Sequence, residues 1–173
     1  MAPSLGYEII RNAVPVELVE KVANALQAPK HRREKYDAYE VPPPCYEIRD
    51  KFLKDADKSA LVKFFEPQPV PPHLDHIFVG IFRETEPNPE QLKTANENEI
   101  YVTIALTNLN SKSGWYTFYE GSRTSQAMTS LASWSTVSLD LKPGDAVIWR
   151  GDLLYLHSAG GGGVFQTLVY KKL

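Results

Sequence analysis

The sequence predicts a mainly β protein, a double-stranded β-helix (jelly roll) with one helix near its N-terminus. One observation is the pattern after residue 73, where short apolar, β-branched segments alternate with turn-forming residues. The other is that about eight such segments follow a single amphipathic helical segment, which is the element pattern of a jelly roll. In such a closed double sheet, inward-facing side chains surround one cavity.

The helix is predicted over Pro15 to Gln27. Proline suits the first helical turn, where its missing N–H is no loss. Leu18, Val22 and Leu26 recur with the spacing of one helical face, which indicates an apolar stripe that packs on a core. Pro29 ends the helix.

The segment between this helix and residue 73 is mixed. The basic run Lys30 to Lys35 could bind an anionic partner, but Glu34 interrupts its charge, and we interpret it as a solvated connection. Tyr46 to Ser59 is predicted to be helical in part, and Leu61 to Phe65 is either a strand or the end of that helix.

The strands are bounded by glycine, proline and asparagine. Arg83 to Glu99, between two strands, is a long polar segment and the best candidate for a lid, since loops of that length are often functional. The predicted strands are Gly6 to Ile10, Asp75 to Phe82, Ile100 to Leu106, Trp115 to Tyr119, Ser135 to Leu141, Ala146 to Trp149, Leu153 to His157 and Val164 to Lys171.

Chain length, net charge and cysteine content limit the number of domains, the partners and the compartment that we expect. The 173 residues predict one domain, 1–173, and a net charge of −2 gives no electrostatic reason to expect nucleic acid or an anionic membrane as partner. Cys45 is the only cysteine, which fits a reducing compartment, and we expect the cytoplasm. The final Lys171-Lys172-Leu173 resembles a peroxisomal Ser-Lys-Leu address, except that Lys171 replaces a small residue.

A candidate metal site is formed by His73, Asp75 and His157. Side chains at i and i+2 of a strand share a face, so His73 and Asp75 can converge, whereas His76 points the other way unless a bulge shifts the register. Two histidines and a carboxylate on one side of a metal are the ligand set of non-haem Fe(II) oxygenases. The alternative is a hydrogen-bonded His–Asp pair without metal, with His76 a structural residue.

The ordered set of motifs resembles the phytanoyl-CoA-dioxygenase-like branch of the Fe(II)/2-oxoglutarate oxygenases. The resemblance covers nearly the whole chain, although no single motif is specific. It is carried by Gly6 to Leu18, His73-x-Asp75, Tyr101 to Asn108, Gly114 with Glu120 to Arg123, Lys142 to Trp149, and His157 to Gly160.

The resemblance implies that His73, Asp75 and His157 bind Fe(II), with 2-oxoglutarate as cosubstrate. The family anchors the far carboxylate of 2-oxoglutarate with an arginine or lysine one strand after the distal histidine. Here Gln166 is nearest to that place, with Thr103 or Lys171 as further candidates. A neutral amide cannot pair with a buried carboxylate as a cation does, so we expect weak binding of 2-oxoglutarate.

Three functions follow from these residues. The first is an oxygenase acting on a small apolar molecule of the kind found in secondary metabolism. The second is a cofactor-independent isomerase or cyclase in the same cavity, and the third is a non-catalytic partner protein. A homodimer, or a heterodimer with a paralogue, is left open. The aromatic residues expected around the substrate, or alternatively in plain core packing, are Phe78, Tyr101, Trp115, Tyr116 and Trp149.

Overall fold

The computed structural model describes residues 3–55, 58–66, 73–84, 92–123 and 134–172. Its helices are α1 (Val16–Ala25), α2 (Pro44–Asp55) and α3 (Lys58–Lys63). Its strands are β1 (Tyr7–Ile10), β2 (Pro29–Arg32), β3 (Tyr36–Tyr39), β4 (His73–Phe82), β5 (Glu99–Ala105), β6 (Tyr116–Tyr119), β7 (Thr136–Ser138), β8 (Ala146–Arg150), β9 (Tyr155–His157) and β10 (Val164–Lys171).

The strands form the predicted jelly roll from two antiparallel sheets. The larger sheet has the order β1-β8-β5-β10-β4-β3-β2, and the smaller one has the order β7-β6-β9. Within the larger sheet, β10 pairs with β4 on one side and with β5 on the other. The mainly β prediction and the fold class are therefore confirmed.

The larger sheet has a core on each of its faces because side chains alternate along a strand. On one face, Leu168 and Tyr170 of β10 pack with Val22 of α1 and Ile48 of α2. On the other face, Phe165 and Val169 pack with the smaller sheet in a second apolar cluster. This second cluster, called the inner core below, occupies the space in which the sequence predicted a cavity.

The elements follow the predicted segments in most places. The helix prediction and all eight strand predictions are confirmed, with shorter bounds at several ends. Leu61 belongs to α3, and Phe64 and Phe65, just beyond that helix, are also buried. In the part of the chain that the structure describes, every helix is too short or too polar to cross a bilayer.

The segment Lys30 to Lys35 differs from its prediction. Instead of a solvated connection, it forms β2 and the turn of a hairpin with β3. All four residues of β2 are exposed, so the strand has no apolar alternation by which it could be predicted. The hairpin is held by the pairing of β3 with β4. The predicted lid Arg83 to Glu99 lies partly outside the described residues, at positions 85–91.

Asp145 connects the start of β8 to the turn before α1. Its carboxylate accepts hydrogen bonds from the backbone N–H groups of Asn12 at 2.9 Å and Lys142 at 3.0 Å, and from Arg11 Nη1 at 2.7 Å. Burial raises the pKa of Asp145, but the donors from Asn12, Arg11 and Lys142 outweigh burial, and the pKa lies below its ordinary value.

We predict that Asp145→Asn lowers the free energy of unfolding by about 2–3 kcal/mol, because bonds to an ionised acceptor are lost in a buried place. Urea denaturation measures this change. Asp140→Asn is the matched control, since Asp140 is exposed and its backbone oxygen, not its carboxylate, accepts from Arg11. Equal losses in both variants would contradict the prediction.

Candidate functional site

The predicted metal ligands are far apart: His73 and Asp75 lie at the start of β4, and His157 of β9 lies near the end of β4. His73 is the first residue of the strand, and Phe82, the last, has its ring centroid 6.1 Å from that of His157. A strand of this length extends about 30 Å, whereas metal–ligand bonds measure about 2 Å. The fold therefore does not bring His73 and Asp75 to His157, and one metal ion cannot be bound by all three.

A β-bulge explains why the His73-x-Asp75 pattern misleads. His76 pairs with Val169 and Leu74 pairs with Tyr170, so Asp75 is the extra residue of the bulge. Its carboxylate lies 2.8 Å from Lys171 Nζ and 2.7 Å from His76 Nδ1, and these two contacts lower its pKa. The contacts are exposed and therefore stabilise the fold little. Asp75 thus has a local structural role, with His76 as its neighbour.

The predicted anchors for 2-oxoglutarate do not meet in the cavity either. Gln166 lies on the helix-facing side of β10, where its Nε2 donates to the carbonyl of Cys45 at 2.9 Å. Lys171 is exposed and paired with Asp75. Thr103 does face the inner core, but its hydroxyl accepts from Trp149 Nε1 at 3.1 Å and lies 3.1 Å from the Thr167 hydroxyl. None of the three offers a free cation to a carboxylate there.

A different group of side chains surrounds His157 at one end of the space between the sheets. Tyr116 lies opposite His157 in the β6–β9 pairing, with the ring centroids 4.7 Å apart. Tyr155, two residues before His157 on the same face, has its ring centroid 5.7 Å away. Lys93 forms an isolated bridge with Tyr155, and residues directly opposite share a face. Four side chains therefore project inward from the smaller sheet.

Glu34 completes this group from the β2–β3 turn. Its Oε2 lies 2.9 Å from Lys93 Nζ. Arg83 donates to the backbone oxygen of Glu34, and the backbone N–H of Arg83 donates to the oxygen of Lys35 at 2.9 Å, so the turn is attached to the end of β4. We call His157, Tyr116, Tyr155, Lys93 and Glu34 the mouth cluster.

The imidazole of His157 is neutral at pH 7. Burial is the largest cause that lowers the pKa of His157 to about 4, the charges of Lys93 and Lys35 lower it further, and Glu34 opposes them. A neutral imidazole has one donor and one acceptor nitrogen. His157 can therefore accept a hydrogen bond from a bound molecule, and an anion beside it, as Glu34 is here, favours its taking a proton.

The tyrosines of the mouth cluster keep their protons. Burial raises the pKa of Tyr155 to about 12 and raises that of Tyr116 well above its ordinary value. Their rings stack at 4.4 Å. Within the described ranges, no residue forms a hydrogen bond to either hydroxyl. Two O–H donors are thus available beside the neutral His157.

The described side chains around His157 do not fit a facial Fe(II) site. In the parts of the chain that the structure describes, no three His, Cys, Asp or Glu side chains lie close enough together to hold a metal ion. The carboxylate beside His157 belongs to Glu34 and is already paired with an ammonium group, that of Lys93. That ammonium would also repel a divalent cation.

Two members of the mouth cluster were predicted as site residues from the sequence. These two are His157, predicted as a metal ligand, and Tyr116, predicted either to surround a substrate or to pack in the core. Tyr155 carries a signal in the sequence, because it precedes His157 by two residues and must share its face. Lys93 and Glu34 carry none, because strand pairing and the position of a turn bring them to His157. The five predicted cavity aromatics all belong to the inner core or pack against it, and Trp115 is fully buried there.

Comparisons with known proteins establish the fold. No family model and no curated protein matches the sequence. The non-heme alpha ketoglutarate dependent carbocyclase SnoK from nogalamycin biosynthesis superposes with a TM-score of 0.68 at 12% identity, covering 98% of this chain and 80% of its own. HygX from Streptomyces hygroscopicus, with nickel and 2-oxoglutarate bound, gives 0.69 at 12% identity, with 98% and 84% covered. EvdO2 from Micromonospora carbonacea var. aurantiaca, complexed with 2-oxoglutarate, gives 0.62 at 12%, with 97% and 87% covered.

We predict that His157 makes the protein less stable as the pH falls from about 6.5 to about 4. Its folded-state pKa lies below the ordinary 6.5, so the unfolded chain binds the proton first in this window. The loss should reach about 2–3 kcal/mol, at ~1.4 kcal/mol per pKa unit. Urea unfolding at pH 7 and at pH 4.5 measures it.

His157→Gln should remove that part of the pH dependence, because glutamine does not titrate. His31→Gln, at an exposed position of β2, is the control and should keep the wild-type dependence. The prediction is wrong if His157→Gln and His31→Gln lose the same stability between the two pH values.

Proposed function

We propose that this protein is a metal-independent relative of the 2-oxoglutarate oxygenases, which binds a small, largely apolar molecule at the mouth cluster and transfers a proton on it. Isomerases and cyclases carry out this class of reaction. The observation that carries the proposal is the placement of His157 beside the Tyr116 and Tyr155 rings, with His73 and Asp75 at the far end of β4.

The proposed step needs no oxidant. The neutral imidazole of His157 takes a proton from a carbon next to a carbonyl group of the ligand, and the electron pair of the broken C–H bond moves towards the carbonyl oxygen. A tyrosine hydroxyl donates a hydrogen bond to that oxygen and stabilises its charge. Return of the proton from His157 to a different atom of the ligand completes an isomerisation.

The surrounding rings support this chemistry by excluding water. Phe82 stacks on Phe165 at 4.5 Å, and its ring lies 5.7 Å from Tyr116. An apolar ligand gains free energy when it leaves water for such a surface. Low water content also strengthens the hydrogen bonds of the tyrosine hydroxyls. The single cysteine and the small size fit a cytoplasmic enzyme, which is part of the proposal.

The second candidate is an Fe(II)/2-oxoglutarate-dependent dioxygenase that acts on a secondary metabolite. Structures of this fold favour it, because HygX has been solved with iron bound and EvdO2 with 2-oxoglutarate. A neutral histidine at the position of His157 also suits a metal. The described side chains around His157 favour the metal-independent enzyme, because the one carboxylate among them, that of Glu34, is paired with Lys93.

We predict that the protein, loaded anaerobically with Fe(II), takes up much less than one equivalent of metal and consumes no 2-oxoglutarate. The His73→Ala/Asp75→Asn double variant should take up the same small amount, because these residues lie away from His157. Metal analysis and 2-oxoglutarate turnover are the measurements. One equivalent of iron that is lost in His157→Ala, together with turnover, would establish the second candidate.

Proton transfer is tested in the presence of EDTA. We predict that wild-type protein catalyses deuterium exchange next to the carbonyl of aryl ketones in D2O, measured by NMR. His157→Gln should slow the exchange ~100-fold, the usual size of a general base effect. His31→Gln should exchange at the wild-type rate. Absence of exchange in the wild type, with no iron or 2-oxoglutarate binding, would point to the non-catalytic partner protein.

A further inference from the structure

We propose that the mouth cluster selects an aromatic ligand that carries one negative charge, and that this charge pairs with Lys93 in place of Glu34. The inference rests on the proposed function in placing the ligand beside His157. It adds the chemical class of the ligand and assigns two residues, Lys93 and Glu34, to its selection.

Lys93 is fixed at the site by its backbone. Its N–H donates to the oxygen of Tyr155 at 2.9 Å, and the N–H of Tyr155 donates back at 2.9 Å. The pair shares the inward face of the smaller sheet, and the side chain of Lys93 is only 26% exposed. The ammonium group lies at the exposed edge of the cluster, where an anion beside it is favourable. In this structure Glu34 provides that anion.

Glu34 is easily replaced in this role. Its side chain is 65% exposed, and exposed ion pairs stabilise a protein little. The turn itself does not depend on the carboxylate, because Arg83 binds the backbone oxygens of Glu34 and Lys35. The carboxylate can therefore leave Lys93 while the hairpin stays in place, and a ligand anion can take its position.

The rest of the cluster recognises an aromatic body. His157 and Tyr116 are each partly exposed, and their rings meet edge to face at 4.7 Å. Tyr36 and Phe78, also partly exposed, stack at 5.9 Å on the neighbouring strands β3 and β4. Partly exposed ring faces of this kind favour stacking with a planar aromatic ligand. The hydroxyls of Tyr116 and Tyr155, to which no residue in the described ranges hydrogen-bonds, then donate to its oxygen atoms.

Ring stacking together with ion pairing to Lys93 distinguishes three classes of ligand by affinity. A neutral aromatic molecule would stack but would leave Lys93 with Glu34. A small dianion such as 2-oxoglutarate would pair with Lys93 but would gain no stacking. An aromatic carboxylate or phenolate gains both, so it should bind more tightly than either.

The test uses 2-naphthoate and its neutral analogue 2-naphthamide, titrated against the protein in EDTA by fluorescence. We expect wild type to bind naphthoate ~10-fold more tightly than naphthamide. Lys93→Met should remove this preference, a change of ~1.4 kcal/mol. Glu34→Gln should increase it by a few-fold, because the competing carboxylate is gone. The affinity for naphthamide should stay constant in both variants. This result would show that the mouth cluster remains folded.

Lys30→Met and Glu40→Gln make the same charge changes at exposed positions at or beside the same hairpin, and as controls they should leave the preference unchanged. The inference is overturned if Lys93→Met and Glu34→Gln keep the wild-type ratio, if the control variants change it equally, or if neither probe binds at millimolar concentration. Because binding is measured without turnover, loss of the preference with deuterium exchange intact refutes this inference alone. Absence of exchange with the preference retained refutes only the proton transfer.

Discussion

The antiparallel pairing of β10 with β4 and β5 is the constraint on which the rest of the structure depends. Along β10, side chains alternate between a helix-facing core and the inner core. This alternation places Gln166 beside Cys45, under the helices, and Thr167 beside Thr103, inside. A shift by one residue would exchange the two faces, and each face would then carry the wrong volumes and polar groups.

The same pairing decides what β4 can contribute to a site. The strand has ten residues and runs from one end of the sheet to the other, so its first and last residues lie near different parts of the molecule. Phe82 reaches the mouth cluster, whereas the bulge at Asp75 joins the strand to the end of β10 through Lys171. The Asp75–Lys171 pair at the start of this strand therefore lies at an exposed end of the sheet, away from His157.

In the mouth cluster, the positive charge of Lys93 is balanced by an ion pair with Glu34, which lies on a different part of the chain. Lys93 and Lys35 lower the pKa of His157, and Glu34 offsets part of their effect. The cluster thus holds a neutral imidazole next to a positive charge. The ammonium group of Lys93 disfavours a divalent cation there, although the solved structures of the same fold include ones with iron, nickel and 2-oxoglutarate.

The sequence by itself determined the fold class, because periodicity and turn residues are local properties of the chain. The spacing of Leu18 and Val22 predicts α1, and the largely apolar segment Val164–Lys171, which follows a run of glycines, predicts β10. It also singled out His157 and Tyr116, a candidate ligand and a candidate cavity aromatic, from their residue types. Only the tertiary structure decided the composition of the site. The bulge at Asp75 depends on the partner strand, and Lys93 and Glu34 reach His157 through a bridge to Tyr155 and a turn held by Arg83. Such contacts join residues that are distant in the chain, and no local pattern records them.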